Sequence, residues 1–151
     1  MIKAIIFDLG NTLVSQKDGS AFPFALDVLT ELKRKYKLAL LSNAQPPSNL
    51  EKIQELLRDA QLDGIFEEII VSTEVGMAKP NSKIFNIVLD KLSVTSEEAV
   101  MIGNTISTDI FGGNRVEMKT VLFQPTEDYQ KSSWEHPDHT INSLKDLLEL
   151  L

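Results

Sequence analysis

FDLGNTLV, Phe7 to Val14, places one carboxylate, Asp8, where a run of apolar residues ends. The run itself, Ile2 to Phe7, predicts a buried strand, so Asp8 stands at the lip of a sheet. Gly10 and Asn11 are common turn formers and account for the segment without any chemistry. The residues at the ends of the other strands decide between a reactive group and an ordinary turn.

Working outward, strand and helix patterns alternate along the chain. Phe24 to Lys35 carries apolar residues at helical spacing, and Lys37 to Leu41 (KLALL) predicts a second strand. Leu50 to Leu57 continues a helix begun after Pro46 and Pro47, and Glu68 to Val71 (EIIV) is a third strand. After Pro80 and Asn81 the run SKIFNIVLDKL predicts a well-buried helix. Ala99 to Ile102 (AVMI) reads as a fourth strand, Asp109 to Val116 as a short helix, and Thr120 to Phe123 (TVLF) as a fifth strand. Gln124 to Pro137 reads as loop, with Tyr129 and Trp134 as surface or edge packing, and Ser143 opens a final helix, SLKDLLELL. This alternation predicts an α/β fold with a mostly parallel sheet covered on both faces, and one domain over residues 1–151.

Such sheets bind ligands at the carboxyl ends of their strands. The residues at those ends are Asp8; Ser42 and Asn43; Ser72, Thr73 and Glu74 leading to Lys79; and Asn104 with Asp109 beyond. A carboxylate can attack phosphorus to form an aspartyl phosphate, and Asp8 is the candidate. The charge on a transferred phosphoryl group calls for donors and cations, here Ser42 with nearby backbone N–H groups, Lys79 and a metal ion. Magnesium suits one or two carboxylates, a carbonyl such as that of Gly10, and water. Thr12 can brace the turn after Asp8 through its hydroxyl. The bland alternatives are a helix cap for Ser42 and Asn43, a solvated loop residue for Lys79, and a dipole-stabilised helix residue for Asp109.

FDLGNTLV, LLSNA (Leu40 to Ala44), EVGMAKPNSKIF (Glu74 to Phe85) and MIGNTISTDIFGGNRVEMKTV (Met101 to Val121) resemble the four ordered motifs of the haloacid dehalogenase-like (HAD) hydrolase superfamily. The likeness runs on to the closing DHTINSLKDLLELL. It implies a Rossmann-like three-layer sandwich of five or so strands in the order 5-4-1-2-3, and phosphomonoester hydrolysis through an aspartyl phosphate. By motif position it makes Asp8 the nucleophile, Ser42 and Asn43 with Lys79 the phosphate-binding group, and Asp8, Gly10, Asn104 and Asp109 the Mg²⁺ site.

Three departures qualify that expectation. Gly10 stands where such phosphatases carry a second aspartate that protonates the leaving group, and losing a general acid costs roughly 100-fold to 10,000-fold in rate. Asn104 replaces an aspartate and brings a neutral oxygen to the metal. Neither slot for a cap domain holds more than a loop or one helix, so the chain reads as a capless member, a kind that acts on large substrates or forms oligomers. The alternative function is a pseudoenzyme that keeps the fold as a phosphate-binding or protein-interaction module. Dehalogenation would need an enclosed apolar pocket.

Composition narrows the classes further. Hydrophobic residues at 42% and charged residues at 25% describe a chain with a packed core. A net charge of -7 argues against nonspecific binding to nucleic acid or anionic membranes. With no cysteine there is no disulfide, thiolate metal site or Cys nucleophile, which suits a reducing compartment. The apolar runs are too short to span a bilayer, and MIKAIIFDLG lacks the apolar core of a signal peptide, so the expected location is cytoplasmic. His136 and His139 in EHPDH have no further ligand at a metal-binding spacing. Met77, Met101 and Met118 read as core fillers.

Overall fold

Apolar β-branched and leucine-rich runs of four to six residues, too short for stable helices, form five of the six strands of a single parallel sheet. The computed structural model describes residues 1–126 and 135–151. Along the chain come β1 (Ala4–Phe7), α1 (Ala25–Lys33), β2 (Lys37–Ser42), α2 (Leu50–Asp59), β3 (Glu68–Val71), α3 (Ser72–Val75) and α4 (Ser82–Leu92). They are followed by β4 (Ala99–Gly103), a π-helical turn (Ile106–Ile110), α5 (Phe111–Arg115), β5 (Lys119–Phe123), β6 (His139–Ile141) and α6 (Leu147–Leu150). The sheet order is β3-β2-β1-β4-β5-β6, with every pairing parallel. This is the expected order of five strands with one more, β6, added beside β5.

Alternation along each strand sends side chains to two separate cores. Ile5 and Phe7 of β1 join Leu38, Leu40, Val100, Ile102, Val121 and Phe123 on the face covered by α1, α2 and α6. Ala4 and Ile6 point the other way, to Ala39, Leu41 and Met101, and meet α4 through Ile84, Phe85 and Val88. Three layers result. A fully buried Ile, Leu or Phe contributes about 1.5–3 kcal/mol. Met101 and Met118 are buried and Met77 packs partly buried against the second core, as core fillers would.

Helix boundaries follow local capping. α1 buries Ala25, Val28, Leu29 and Leu32, the i, i+3, i+4, i+7 stripe. α2 starts at Leu50, where the Asn49 side chain accepts a hydrogen bond from the Lys52 N–H at 3.0 Å. Thus Asn49 is the cap, and neither Ser42 nor Asn43 caps this helix. Likewise α4 starts at Ser82 behind Asn81, which accepts from the Lys83 N–H at 3.0 Å, so Pro80 lies outside the helix. The final helix is split into a 3₁₀ turn at Leu144–Asp146, capped by Ser143, and the short α6. Tyr129 and Trp134 lie outside the described residues.

The register aligns the strand ends that build the site. Phe7 pairs with Leu40 on one side and Ile102 on the other, so Asp8, Ser42 and Asn104 emerge at the same edge. No cap is inserted there. Between β1 and α1 the chain forms only two isolated bridges, Gly10 to Val14 and Val14 to Ala21, and between β2 and β3 the only helix or strand is α2.

Candidate active site

Asp8 is anchored just past the end of β1, its N–H bonded to the Ile102 carbonyl at 2.9 Å. Beyond it the chain turns back at once, with Thr12 N–H and Leu13 N–H both donating to the Leu9 carbonyl at 3.2 and 2.9 Å. Asn11 supplies the left-handed residue of that turn, at φ 59°, a conformation Asn tolerates. Gly10 does not. Its need for a missing side chain is steric, since a Cβ there would stand 2.5 Å from Nε2 of Gln16. The buried Thr12 hydroxyl lies 3.1 Å from Asp8 Oδ2 and 3.4 Å from Asn104 Oδ1 and can donate to either, which braces the turn as its hydroxyl was expected to do.

Lys79 reaches this edge from the loop before α4 with its side chain 1% exposed. Its ammonium donates to Asp8 Oδ1 at 2.9 Å, to Asp109 Oδ1 at 2.7 Å and to the Leu41 carbonyl at 2.8 Å. An ammonium has three hydrogens, and all three are engaged. Burial works to depress the Lys79 pKa, but the charges of Asp109 and Asp8 outweigh it, so the net shift is upward and the ammonium stays charged. Burial pushes the Asp109 carboxyl up to about 6; Lys79 pulls against that rise, and the charge of Asp8 adds to it. Asp8 differs from Asp109 in access. Its side chain is 13% exposed and faces solvent, whereas that of Asp109 is 1% exposed.

The structure gathers all the expected site residues at one sheet edge but assigns several of them different contacts. Asp8, Gly10, Ser42, Asn43, Lys79 and Asn104 line a cleft of about 760 Å³. Asp109 lies behind Lys79, its other oxygen accepting from the Thr105 N–H at 3.1 Å. The π-helical turn widens the backbone there so that the carboxylate folds back over Gly103, where a Cβ would collide with it. Asn43 turns its side chain to Lys79: Nδ2 donates to the Lys79 carbonyl at 3.0 Å and Oδ1 accepts from the Lys79 N–H at 2.8 Å. The Ser42 hydroxyl makes one long contact, 3.5 Å to the Asn43 carbonyl.

The polar residues after β3 have structural partners. Ser72 Oγ accepts from the Ala44 N–H at 2.8 Å, Thr73 donates to the Ser48 carbonyl at 2.8 Å, and Glu74 accepts from the Leu50 N–H at 3.0 Å. They hold the loop from Asn43 to Asn49 against the site. Among the described residues no cluster of three His, Cys, Asp or Glu side chains forms a metal site, and His139 sits exposed in β6. No helix among the described residues is long and apolar enough to cross a membrane. Gln16 is one of the cleft residues the sequence did not single out. Its signal was present only as the small residue at position 10, which leaves room for another side chain.

The model of the haloacid dehalogenase-like hydrolase family matches residues 14–123. This chain belongs to that family. Among curated relatives of this HAD-like hydrolase, glyceraldehyde 3-phosphate phosphatase of Pyrococcus furiosus is 35% identical over 85% of the chain and 53% of its own length. Ribulose-1,5-bisphosphate 5-phosphatase of Halopiger xanaduensis is 31% identical over 87% of the chain and 57% of its own length. The HAD-like chain thus spans little more than half the length of these relatives. Among solved structures, a putative HAD-hydrolase of Bacillus subtilis bound to magnesium superposes with a TM-score of 0.80 at 24% identity, over 89% of this chain and 57% of that one. That likeness establishes the shared fold.

Proposed function

We propose that this HAD-like chain is a Mg²⁺-dependent phosphomonoesterase that works through a phosphorylated Asp8, with residues 1–151 as its catalytic core. The observation that carries this reading is the pairing of a cleft-facing Asp8 with the buried Lys79, 2.9 Å apart. A carboxylate with one oxygen tied to a fixed cation is held in a single orientation, ready for attack on phosphorus. An Asp8 oxygen bonds to phosphorus as the ester P–O bond breaks, and water then cleaves the aspartyl phosphate. Lys79 stays protonated and offsets charge on the phosphoryl oxygens. Ser42 and the main chain of Asn43 face the same cleft and would receive those oxygens, while the Asn43 side chain keeps Lys79 in place.

The oxygen donors present fit a magnesium ion. Asp8 and Asn104 converge on the Thr12 hydroxyl, and Gly10, which lines the same cleft, would add its carbonyl, a hard oxygen set that Mg²⁺ accepts with several waters. Asp109 stands one layer back with Lys79 between it and Asp8, and would add its charge to the site. When bound, the ion would supply electrostatic stabilisation of charge on the transferring group. The two curated relatives named above are phosphatases, which supports a phosphorylated substrate here.

The test is hydrolysis of a panel of phosphate esters with Mg²⁺ by the wild type and Asp8→Asn. Activity that Asp8→Asn abolishes supports the phosphatase. Wild-type activity no greater than that of Asp8→Asn on every ester overturns it in favour of a phosphate-binding or interaction module.

A further inference from the structure

The side chain of Gln16 occupies the space beside Asp8 that Gly10 leaves open. A Cβ on Gly10 would meet Gln16 Nε2 at 2.5 Å, Cγ at 3.0 Å and Cδ at 3.1 Å, so the amide lies directly over this glycine. Asn11 fixes it there. The Gln16 N–H donates to Asn11 Oδ1 at 2.9 Å, and Asn11 Nδ2 returns a hydrogen bond to Gln16 Oε1 at 3.0 Å. With Oε1 held by Asn11, Nε2 points to the opposite side of the amide, over Gly10, and no described residue accepts its hydrogens. Asp8, Gly10, Asn11 and Gln16 all line the same cleft.

Carboxyl and imidazole acids able to serve a leaving group are missing from that cleft among the described residues. The carboxylates on its wall are Asp8, the nucleophile, and Asp18. Asp18 Oδ1 accepts both the N–H of Ser20 at 3.0 Å and its hydroxyl at 2.7 Å. Those bonds hold the Asp18 carboxyl below the usual carboxylate range, so it has no proton to deliver at neutral pH. No described histidine lines the cleft, and Asp109 does not reach it. The wall beside the nucleophile therefore presents the Gln16 amide as a hydrogen-bond donor and no carboxyl or imidazole to protonate a leaving oxygen; the ammonium of Lys79 is spent on Asp8, Asp109 and the Leu41 carbonyl, and Lys17 lines the cleft as an exposed ammonium.

We infer that Gln16 is a further catalytic residue, donating a hydrogen bond from Nε2 to the leaving oxygen, and that the site serves phosphoryl compounds whose leaving group departs as a stable anion. Acyl phosphates and aryl phosphates meet that condition; simple alkyl esters, which expel an alkoxide, do not. This rests on the phosphatase reading above. In the first step an Asp8 oxygen bonds to phosphorus while the bond from phosphorus to the leaving oxygen breaks, and that oxygen keeps the electron pair as a carboxylate or phenolate. In the second, a water oxygen bonds to phosphorus, Asp8 leaves as its carboxylate, and the water protons go out on the phosphate.

The experiment measures kcat/KM with Mg²⁺ for acetyl phosphate, a series of aryl phosphates graded by phenol pKa, and glycerol phosphate. The wild type, Asp8→Asn, Gln16→Ala and Gln16→Glu are compared, with Tm as the check on folding. The expected result is a wild-type rate that falls steeply as leaving-group pKa rises, with glycerol phosphate at least roughly 100-fold below acetyl phosphate. Gln16→Ala lowers the aryl rates by roughly 10-fold to 100-fold with Tm unchanged. Gln16→Glu, which places a carboxyl over Gly10, flattens the dependence by raising the glycerol phosphate rate. Equal rates for Gln16→Ala and wild type across the series, or a wild-type rate indifferent to the leaving group, overturn the inference and leave the phosphatase reading intact. Acetyl phosphate turnover equal to that of Asp8→Asn overturns both.

Discussion

Asn43 grips Lys79 by its main chain, accepting the lysine N–H at 2.8 Å and donating to its carbonyl at 3.0 Å across a separation of 36 residues. The loop after β2 thereby fixes where the loop before α4 delivers its ammonium. Asn43→Ala leaves both Lys79 backbone groups without these partners in a half-buried setting, at about 1–3 kcal/mol. We expect urea unfolding to register that loss. We also expect kcat for phosphate ester hydrolysis to fall by more than KM rises, because Lys79 is displaced from Asp8 rather than removed.

The carboxyl of Asp109, pushed up to about 6 by burial, makes stability depend on pH with a definite sign. Its ordinary value is 3.8, so between that and about 6 the folded chain binds more proton than the unfolded one. This contribution is fully present below pH 3.8 and is lost as pH rises through about 6. Urea unfolding in EDTA should show a loss on the order of 2–3 kcal/mol across that window relative to Asp109→Asn, which cannot titrate. A flat difference between the two proteins from pH 4 to 7 would show that Asp109 ionises as it does in water.

Gly112 of α5 packs directly against the ring of Phe85 in α4, and its missing Cβ would also stand 3.3 Å from Pro80 Cα. Gly112→Ala forces a core ring aside next to the loop that carries Lys79. The expected destabilisation is about 1–3 kcal/mol by overpacking. Phe85→Leu, costly by itself, should partly relieve Gly112→Ala when the two are combined, and a double-mutant cycle on Tm and urea midpoints reads that coupling. Strict additivity would place the strain elsewhere.

Much of this architecture is legible in the residues because parallel strands buried on both faces are written as continuous apolar runs. EIIV, KLALL, AVMI and TVLF appear as strands within one residue of their ends. β6 escapes that reading: in HTI only Ile141 is buried, and His139 and Thr140 are exposed, so no apolar run marks it. α3 is a single turn of polar and apolar residues without a period to detect. At the site, motif positions locate the participants but not their contacts. Asn43 reads as a cap or a phosphate ligand until the fold brings it to Lys79, and Asp109 reads as a metal ligand or a helix residue until the fold sets it behind the lysine. Gln16 is invisible in one dimension because its importance lies in the void over Gly10.

That π-helical turn at Ile106–Ile110 holds one more residue than a regular helical turn would need. Deleting a single codon between Thr105 and Asp109 would remove the residue that the wide turn absorbs and draw Asp109 out of its present position. The Asp109 carboxylate would leave Lys79, while the sheet, whose pairing ends at Gly103, would be untouched. An in-frame loss of three nucleotides there is thus one route from an armed site to a disarmed one that needs no change at Asp8.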